Sequence, residues 1–243
     1  SYTGARDKAF FEWLRLTHTP TGAADWGRWG LWVHTFGVLV PENVFYESHP
    51  EYYTMNEKGE RVPSQLCLTN PEVLEVLCSE LEKRINAKPE AIYWSVSQND
   101  NYNYCKCENC MKVMEEEGSP SGLIIRFVNE VASRFPEKII STLVYQYSRK
   151  APKYAKPAKN VNLMFCSIEC NRSKPIRDDE SSASFREDME NWAKLSDNII
   201  LWDYMVQFSN LYTPFPNFRV LQPNMQYFVS NNVSALYSQG NPQ

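Results

Sequence analysis

The sequence predicts an α/β fold built on a parallel sheet, and three observations lead to this prediction. Six short runs that are apolar on both faces recur at residues 30–36, 91–97, 139–147, 161–168, 198–205 and 233–238, as is typical of buried parallel strands. Between several of them, apolar residues recur at helical spacing, which is the alternation of βαβ units. No glycine-rich phosphate-binding loop follows any run, and the chain has only 9 glycines, which disfavours a nucleotide-binding open sheet.

These features favour a barrel of the (β/α)8 TIM-barrel type over an open, doubly wound sheet. Eight βα units typically need about 250 residues, and the chain has 243. With a shorter run at 14–17, six or seven strands can be counted. The chain begins in a predicted helix at 5–16 and stops just after a strand. We therefore expect residues 1–243 to form a single barrel domain that lacks its first strand and last helix and belongs to a longer, multidomain protein.

The predicted helices have clear start signals. Thr69 or Asn70 can cap a helix that has Pro71 at its first position and Glu72 in its first turn. A second helix is expected after the Ser-Pro-Ser-Gly at 119–122. The apolar stripes that define the three predicted helices are Val73, Leu74, Leu77, Leu81 and Ile85; Leu123, Ile124, Phe127, Val128 and Val131; and Phe185, Met189, Trp192 and Leu195. Such stripes indicate core packing.

Composition excludes some classes of function and favours others. The chain has 25 basic and 29 acidic residues, with no basic run, which disfavours nucleic-acid binding. No stretch approaches the roughly 18 apolar residues of a membrane span, and no signal-peptide core is visible. Phe, Trp and Tyr make up 14% of the residues. Aromatic side chains stack on sugar rings, although they also fill ordinary cores.

Polar or ionisable side chains follow every predicted strand. Because the carboxyl ends of parallel strands meet on one face of a barrel, and catalytic groups stand there, these side chains are expected to share one cleft. The predicted substrate-binding residues are His34, Gln98, Asn99, Tyr145, Gln146, Tyr147, Arg149, Trp202, Tyr204 and Gln239. His34 can instead be a hydrogen-bonded barrel residue, Arg149 a solvated loop residue, and Asn99 a turn former.

Three carboxylates at these strand ends are the predicted catalytic residues: Asp100, Glu169 and Asp203. Glycoside hydrolysis needs two carboxyl groups, one to protonate the leaving oxygen and one to attack or to activate water. Amides and tyrosines suit sugar hydroxyls, so a carbohydrate is the expected partner. The alternative for each acid is a salt bridge or a helix cap. The rivals to an enzyme are a non-catalytic carbohydrate-binding barrel and a metal-stabilised scaffold.

A cysteine cluster follows the second of these strand ends. Cys105, Cys107 and Cys110 fall within six residues, a spacing that can supply part of a tetrahedral zinc site. Cys67, Cys166 and Cys170 are candidates for a fourth ligand. A disulfide with one free thiol, or three reduced thiols, are the alternatives. We expect no cofactor to be required for catalysis, and any zinc to be structural.

A series of motifs gives the chain a family resemblance. In order, these are His-Thr-Phe at 34–36, Gln-Leu-Cys-Leu-Thr-Asn-Pro at 65–71, Ser-Gln-Asn-Asp-Asn at 97–101, the cysteines at 105, 107 and 110, Glu-Glu-Gly-Ser-Pro-Ser-Gly at 116–122, Tyr-Gln-Tyr at 145–147, Cys-Ser-Ile-Glu-Cys at 166–170, Trp-Asp-Tyr at 202–204 and Gln-Gly at 239–240. The series resembles the bacterial domain-of-unknown-function family 4838, over nearly the whole chain. That family looks like a glycoside-hydrolase TIM barrel and is distantly similar to the α-glucuronidases.

The resemblance implies roles and a location. In the α-glucuronidases a Glu after the fourth strand is the general acid, and acids after the sixth and seventh strands serve as base. These roles carry over to Asp100, Glu169 and Asp203, with an Asp in place of that Glu. The resemblance also implies a periplasmic or outer-surface location, with other domains around the barrel. We therefore expect a glycosidase that acts with inversion, in which Asp100 is the acid and Asp203, with Glu169 beside it, activates water. A glycan bearing uronic acid is a candidate substrate.

Overall fold

The computed structural model describes residues 28–210, 214, 215 and 217–240. The predicted helix at 5–16 and the predicted strand at 14–17 lie outside these residues. The strands are β1 (Trp29–Leu31), β2 (Tyr53–Met55), β3 (Arg61–Leu66), β4 (Tyr93–Ser95), β5 (Ile139–Val144), β6 (Val161–Cys166), β7 (Ile199–Tyr204) and β8 (Val233–Gln239). The α-helices are α1 (Phe36–Leu39), α2 (Glu42–Phe45), α3 (Pro71–Ala87), α4 (Glu108–Glu117), α5 (Pro120–Arg134), α6 (Ala183–Ala193) and α7 (Phe218–Ser230).

Six of the strands form one parallel sheet in the order β1-β4-β5-β6-β7-β8, and every neighbouring pair is parallel. The predicted α/β fold with a parallel sheet is therefore confirmed. β2 and β3 form a separate antiparallel hairpin between β1 and β4 in the chain.

The sheet is curled, because its first strand meets its last two strands. The ring of Trp32, just after β1, lies 5.6 Å from the ring of Trp202 and 5.1 Å from that of Tyr237. At a strand spacing of about 4.8 Å, β1 and β7 would lie about 19 Å apart in a flat sheet. The described strands therefore form a half-barrel whose concave face is lined by these rings.

Alternation along each strand divides the side chains between two layers. Trp94, Phe165 and Leu201 face outward and are fully buried in the main core, which α3, α5 and α6 also line. Met164 and Cys166, at alternate positions, face inward with a smaller cluster that includes Trp32 and Trp202. The carboxyl ends of β4 to β8 open onto this inner space.

The first predicted run is a strand only in part. A strand was expected over residues 30–36, but β1 ends at Leu31 and α1 begins at Phe36. Between them His34 adopts a left-handed backbone conformation (φ 57°) that turns the chain. The amides of Thr35 and Phe36 then donate hydrogen bonds to the carbonyl of Ser97, 3.1 and 3.0 Å away. This turn brings His34 to the end of β4.

The three predicted helices that fall within the described residues are present. α3 begins at Pro71, and the side chain of Asn70 accepts a hydrogen bond from the amide of Glu72 at 2.9 Å. α5 begins at Pro120, and α6 carries the third stripe on its buried face. The hairpin, α4 and α7 were not predicted. A search of the described residues finds no helix with the length and apolar character needed to cross a membrane.

Candidate functional site

Two of the three described non-glycine residues with a left-handed backbone follow the strands on either side of β4. His34 follows β1, and Gln146 (φ 52°) follows β5. This conformation is unfavourable for residues other than glycine and is concentrated at functional sites. The Nδ1 atom of His34 lies 2.8 Å from the carbonyl oxygen of Gln98. Because a carbonyl only accepts, Nδ1 carries the proton, and Nε2 of the neutral ring is left as an acceptor.

Asp100 lies exposed in the loop that follows β4. The side-chain amide of Gln146 donates a hydrogen bond to its Oδ1 at 3.1 Å. Burial, and then the negative charge of Asp100, raise the pKa of Tyr145 to about 12. Asp100 therefore lies beside an amide and a phenol that stays protonated at neutral pH.

Two amide oxygens near this loop have no partner. The Oε1 atoms of Gln98 and Gln146 are buried and make no hydrogen bond to any described residue. Gln98 is fully buried, and its Nε2 donates to the hydroxyl of Ser148 at 2.7 Å. A buried acceptor without a partner is costly in a finished protein and therefore indicates a functional site or an ordered water.

The β2–β3 hairpin holds the Asp100 loop through hydrogen bonds. The side chain of Gln65 donates to the carbonyl of Asn99 at 2.8 Å and accepts from its amide at 2.9 Å. The side chain of Asn99 in turn bonds the amide of Gly37 and the carbonyl of Ser64. The side chain of Asn99 is thus engaged inside the protein, which favours support of the loop over direct substrate contact. Gln98 is held through its Nε2, while its Oε1 has no partner among the described residues.

Arg149 joins two carboxylates. Its Nε lies 2.7 Å from Asp188 on α6, and its Nη1 lies 3.3 Å from Glu169. Arg149 is therefore occupied within the protein rather than free to pair with a substrate carboxylate. Glu169, with 41% of its side chain exposed, retains access to solvent. Tyr147 packs its ring against that of Tyr104, with centroids 5.1 Å apart.

Asp203 has a different environment from Asp100. It is 6% exposed. The hydroxyl of Ser167 donates to its Oδ1 at 2.6 Å, and Arg172 Nη2 lies 3.5 Å from the same atom. Asp203 shares the outward-facing register of Leu201. For Asp203 the structure thus shows a salt bridge, with Arg172, which was the alternative to a catalytic role. The sequence contained no signal for Arg172, which lies in an irregular segment.

The charges of Glu169 and Asp100 both act on the thiol of Cys166. This thiol is buried at the inner end of β6, and its pKa is raised by burial and then by the negative charge of Glu169, with a smaller contribution from Asp100. Tyr204 lies in hydrogen-bonding contact with the same thiol. The electrostatic environment of Cys166 therefore includes two of the predicted acids and one of the predicted tyrosines.

An aromatic floor continues from this point across the concave face. The ring of Trp202 is stacked near that of Tyr204, with centroids 6.2 Å apart, and its Nε1 donates to Oε1 of Gln239 at 2.9 Å. Tyr237 meets Trp202 edge-on at 4.8 Å. Rings arranged in this way can stack on the faces of sugar rings.

The cysteine cluster lies beneath the Asp100 loop, and Cys67 from the end of β3 completes it. The sulfur of Cys67 lies 3.6 Å from that of Cys107 and 3.8 Å from that of Cys110. With Cys105, the four sulfurs lie within 4.8 Å of one another, and the group can hold a metal ion. Cys166 and Cys170 lie elsewhere. All seven cysteines are free thiols, so the disulfide alternative is not realised in this structure.

Comparison with protein families gives one finding. A family model described as "Domain of unknown function (DUF4838)" matches residues 2–243. A comparison with curated proteins gave no match.

Proposed function

The chain belongs to the DUF4838 family, and from that premise we propose that it is a glycoside hydrolase. Its substrate is a complex polysaccharide or a glycan that contains uronic acid, and the chemistry is that of carboxylate acid and base. One observation carries this proposal. An exposed carboxylate, Asp100, is bonded by a strained amide residue and lies beside a protonated phenol at the carboxyl end of a curled parallel sheet.

The architecture supports the proposal at the level of the fold. Six parallel strands in chain order, curled until the ring that follows β1 meets rings of β7 and β8, are consistent with part of a (β/α)8 barrel. We propose the (β/α)8 TIM-barrel type as the fold of the protein. The active sites of such barrels lie at the carboxyl ends of the strands.

Asp100 is proposed as the general acid, and Glu169 is proposed as its partner. Glu169 is accessible to solvent, and its charge acts on the same thiol as that of Asp100. Asp203 has its Oδ1 bonded by Ser167 and Arg172 and is buried. We therefore assign Asp203 to the support of the cleft, and this assignment revises the expectation that it activates water.

The cleft offers groups for binding sugars. The Nε2 atom of His34 can accept a hydrogen bond from a sugar hydroxyl, and the rings of Trp202 and Tyr204 can stack on the faces of sugar rings. This chemistry requires no cofactor, and we assign any metal at the four cysteines a structural role. The preference for uronic acid and the periplasmic or outer-surface location rest on the resemblance to the family and its distant similarity to the α-glucuronidases.

A second candidate function is a carbohydrate-binding barrel without catalysis. A specific observation favours it, because Glu169 and Asp203 are both paired with arginines, as expected if the acids serve only the fold. This candidate keeps the aromatic floor and the amides but assigns no reaction to Asp100.

Hydrolysis of a glycan panel separates the two candidates. The full-length protein, Asp100→Asn and Asp178→Asn are assayed on neutral and uronic-acid-capped oligosaccharides. Asp178 is 59% exposed beside Arg177 and serves as the matched control. We expect the parent to cleave at least one glycan, Asp100→Asn to lose about 10²–10⁴-fold in kcat, and the control to match the parent.

Two results would count against parts of this proposal, the first against the role of Asp100 and the second against catalysis. Cleavage by Asp100→Asn at the parental rate would remove Asp100 from the chemistry. No cleavage by the parent, with oligosaccharide binding equal in all three proteins, would support the binding barrel.

A further inference from the structure

We propose that Cys67, Cys105, Cys107 and Cys110 bind one Zn²⁺ ion, and that this ion fastens the loop carrying Asp100 to the β2–β3 hairpin. The metal site itself is independent of the glycosidase proposal. Only its consequence for activity rests on the proposed function.

The spacing of the sulfurs fits a tetrahedral ion. With Zn–S bonds of about 2.3 Å, the edges of an S₄ tetrahedron are about 3.8 Å long. The sulfur of Cys67 lies 3.6 and 3.8 Å from those of Cys107 and Cys110, and the four sulfurs fall within 4.8 Å of one another. A disulfide needs about 2.05 Å, so these contacts are those of ligands around a common centre.

The other cysteines of the chain provide an internal comparison. Cys78, Cys166 and Cys170 are buried among apolar or mixed neighbours outside the cluster, in the manner of a small hydrophobic residue. The four clustered thiols are equally buried but converge on one point, with no more than 9% of any residue exposed. Packing alone explains the first group and does not explain the convergence of the second.

The surroundings of the sulfurs favour thiolates around a cation. The amide of Met55 donates to the sulfur of Cys105 at 3.3 Å, and the Nη1 of Arg61 lies 3.8 Å from it. The hydroxyl of Thr69 lies 3.2 Å from the sulfur of Cys110. Four thiolates around Zn²⁺ carry a net charge of −2, and donors to the sulfurs stabilise such sites. An all-sulfur tetrahedral set selects zinc or iron, and the structural role favours zinc.

The ligands come from the two segments that build the wall of the cleft. Cys67 follows β3, whereas Cys105 and Cys107 precede α4 and Cys110 lies in its first turn. Gln65, two residues before Cys67, holds Asn99 at the start of the Asp100 loop. The metal therefore fixes Cys105 and Cys107, at the far end of the loop, to the end of β3. The side chain of Gln65, at the same end of β3, holds the near end of the loop at Asn99.

Besides the metal, several bonds join the far end of the loop to the hairpin. Thr54 Oγ1 donates to the carbonyl of Asn103, and the amide of Lys106 donates to the carbonyl of Met55, both at 2.8 Å. The side-chain amide of Asn103 also donates to the hydroxyl of Ser64 at 3.1 Å. Without the ion, these bonds, the contacts of Met55 and Arg61 with the sulfur of Cys105 and an exposed contact between Lys106 and Glu57 have to hold the segment. We therefore expect the loop to loosen on metal loss while the parallel sheet stays folded.

Metal analysis tests the site without any substrate. The full-length protein, purified without chelators, is expected to contain one zinc per chain, and Co²⁺ exchanged for it should give the visible spectrum of a tetrahedral tetrathiolate. Cys67→Ser and Cys110→Ser should lose most of the metal. Cys78→Ala keeps the cluster and should retain it, and so should His49→Ala, which alters the other candidate group, His49 with Glu51 and Glu72.

Hydrogen exchange tests the fastening of the loop. Removal of zinc by a chelator should speed amide exchange in residues 99–107 by about tenfold or more, with β5, β6 and β7 unchanged. Absence of metal together with absence of the cobalt spectrum would overturn the site. Iron in place of zinc would overturn the identity of the ion, and unchanged exchange at 99–107 on metal removal would overturn the fastening. Since these measurements need the parent protein alone, a variant that fails to fold does not decide them.

Discussion

Two of the predicted catalytic residues, Asp100 and Asp203, lie at the ends of β4 and β7, and their side chains have different environments. Asp100 is exposed and bonded by the neutral amide of Gln146, whereas Asp203 is buried and paired with Arg172. Both follow apolar strands in the sequence. The difference teaches that a carboxylate at a strand end is placed by its register: Asp203 falls on the outward face with the core, while Asp100 lies beyond the strand in a loop that returns over the inner face.

The largest expected difference between the two positions is in stability. Asp203→Ala leaves Arg172, whose side chain is 14% exposed, without its carboxylate. Loss of one partner of a buried pair costs about 3 kcal/mol or more, whereas Asp100→Ala at an exposed position should cost less than about 0.5 kcal/mol. Denaturant unfolding of both variants measures the two free energies. Equal losses would mean that the two aspartates do the same structural work.

The elements of the fold differ in how well the sequence predicts them. The apolar runs predicted the central strands β4 to β7 because burial on both faces leaves a pattern in composition. The less buried edge strands were also predicted, β8 closely and β1 only in part. The start of α3 was readable because Asn70 and Pro71 act locally. The end of β1 was not, since the left-handed turn at His34 depends on hydrogen bonds to Ser97, far away in the chain.

The candidate site likewise has parts that the sequence predicts and parts that it does not. Asp100, Tyr145 and Gln146 could be placed together because parallel strands end at one edge. The hairpin was not predicted because β2 and β3 are short and mixed in composition. Since Cys67 follows β3, the sequence did not decide between Cys67, Cys166 and Cys170 as the fourth thiol. Ion pairs such as that of Asp203 with Arg172 depend on tertiary contacts that no local pattern records.

Backbone strain at Gln146 is the next largest expected effect. Gln146→Gly and Gln146→Ala both remove the amide that bonds Asp100, but only glycine adopts φ near 52° without strain. The glycine variant should therefore be the more stable by about 1 kcal/mol. At Glu82, exposed within α3, the order should reverse by about the same amount. Calorimetric unfolding of the four proteins gives the comparison, and the same order at both positions would contradict it.

The smallest effect is electrostatic and separates the two aspartates without any assay of activity. Burial, and then the charge of Asp100, raise the pKa of Tyr145 to about 12, against about 10 in an unfolded chain. Asp100→Asn should lower this pKa, whereas Asp203→Asn should leave it in place, because Asp100, unlike Asp203, is among the groups whose charge acts on the phenol. Tyrosinate absorbance, with Tyr145→Phe as the reference, follows the titration.

The sign of the accompanying change in stability follows from the same shift. Because the folded state holds the proton of Tyr145 more tightly than the unfolded chain does, the contribution of this residue is fully present below pH 10 and is lost as the pH rises through about 12. Tyr145→Phe should therefore lose less stability than the parent across this interval. A lowered tyrosine pKa in Asp203→Asn, together with an unchanged one in Asp100→Asn, would show that the charge that acts on Tyr145 comes from the end of β7. The proposed acid would then have to be sought there.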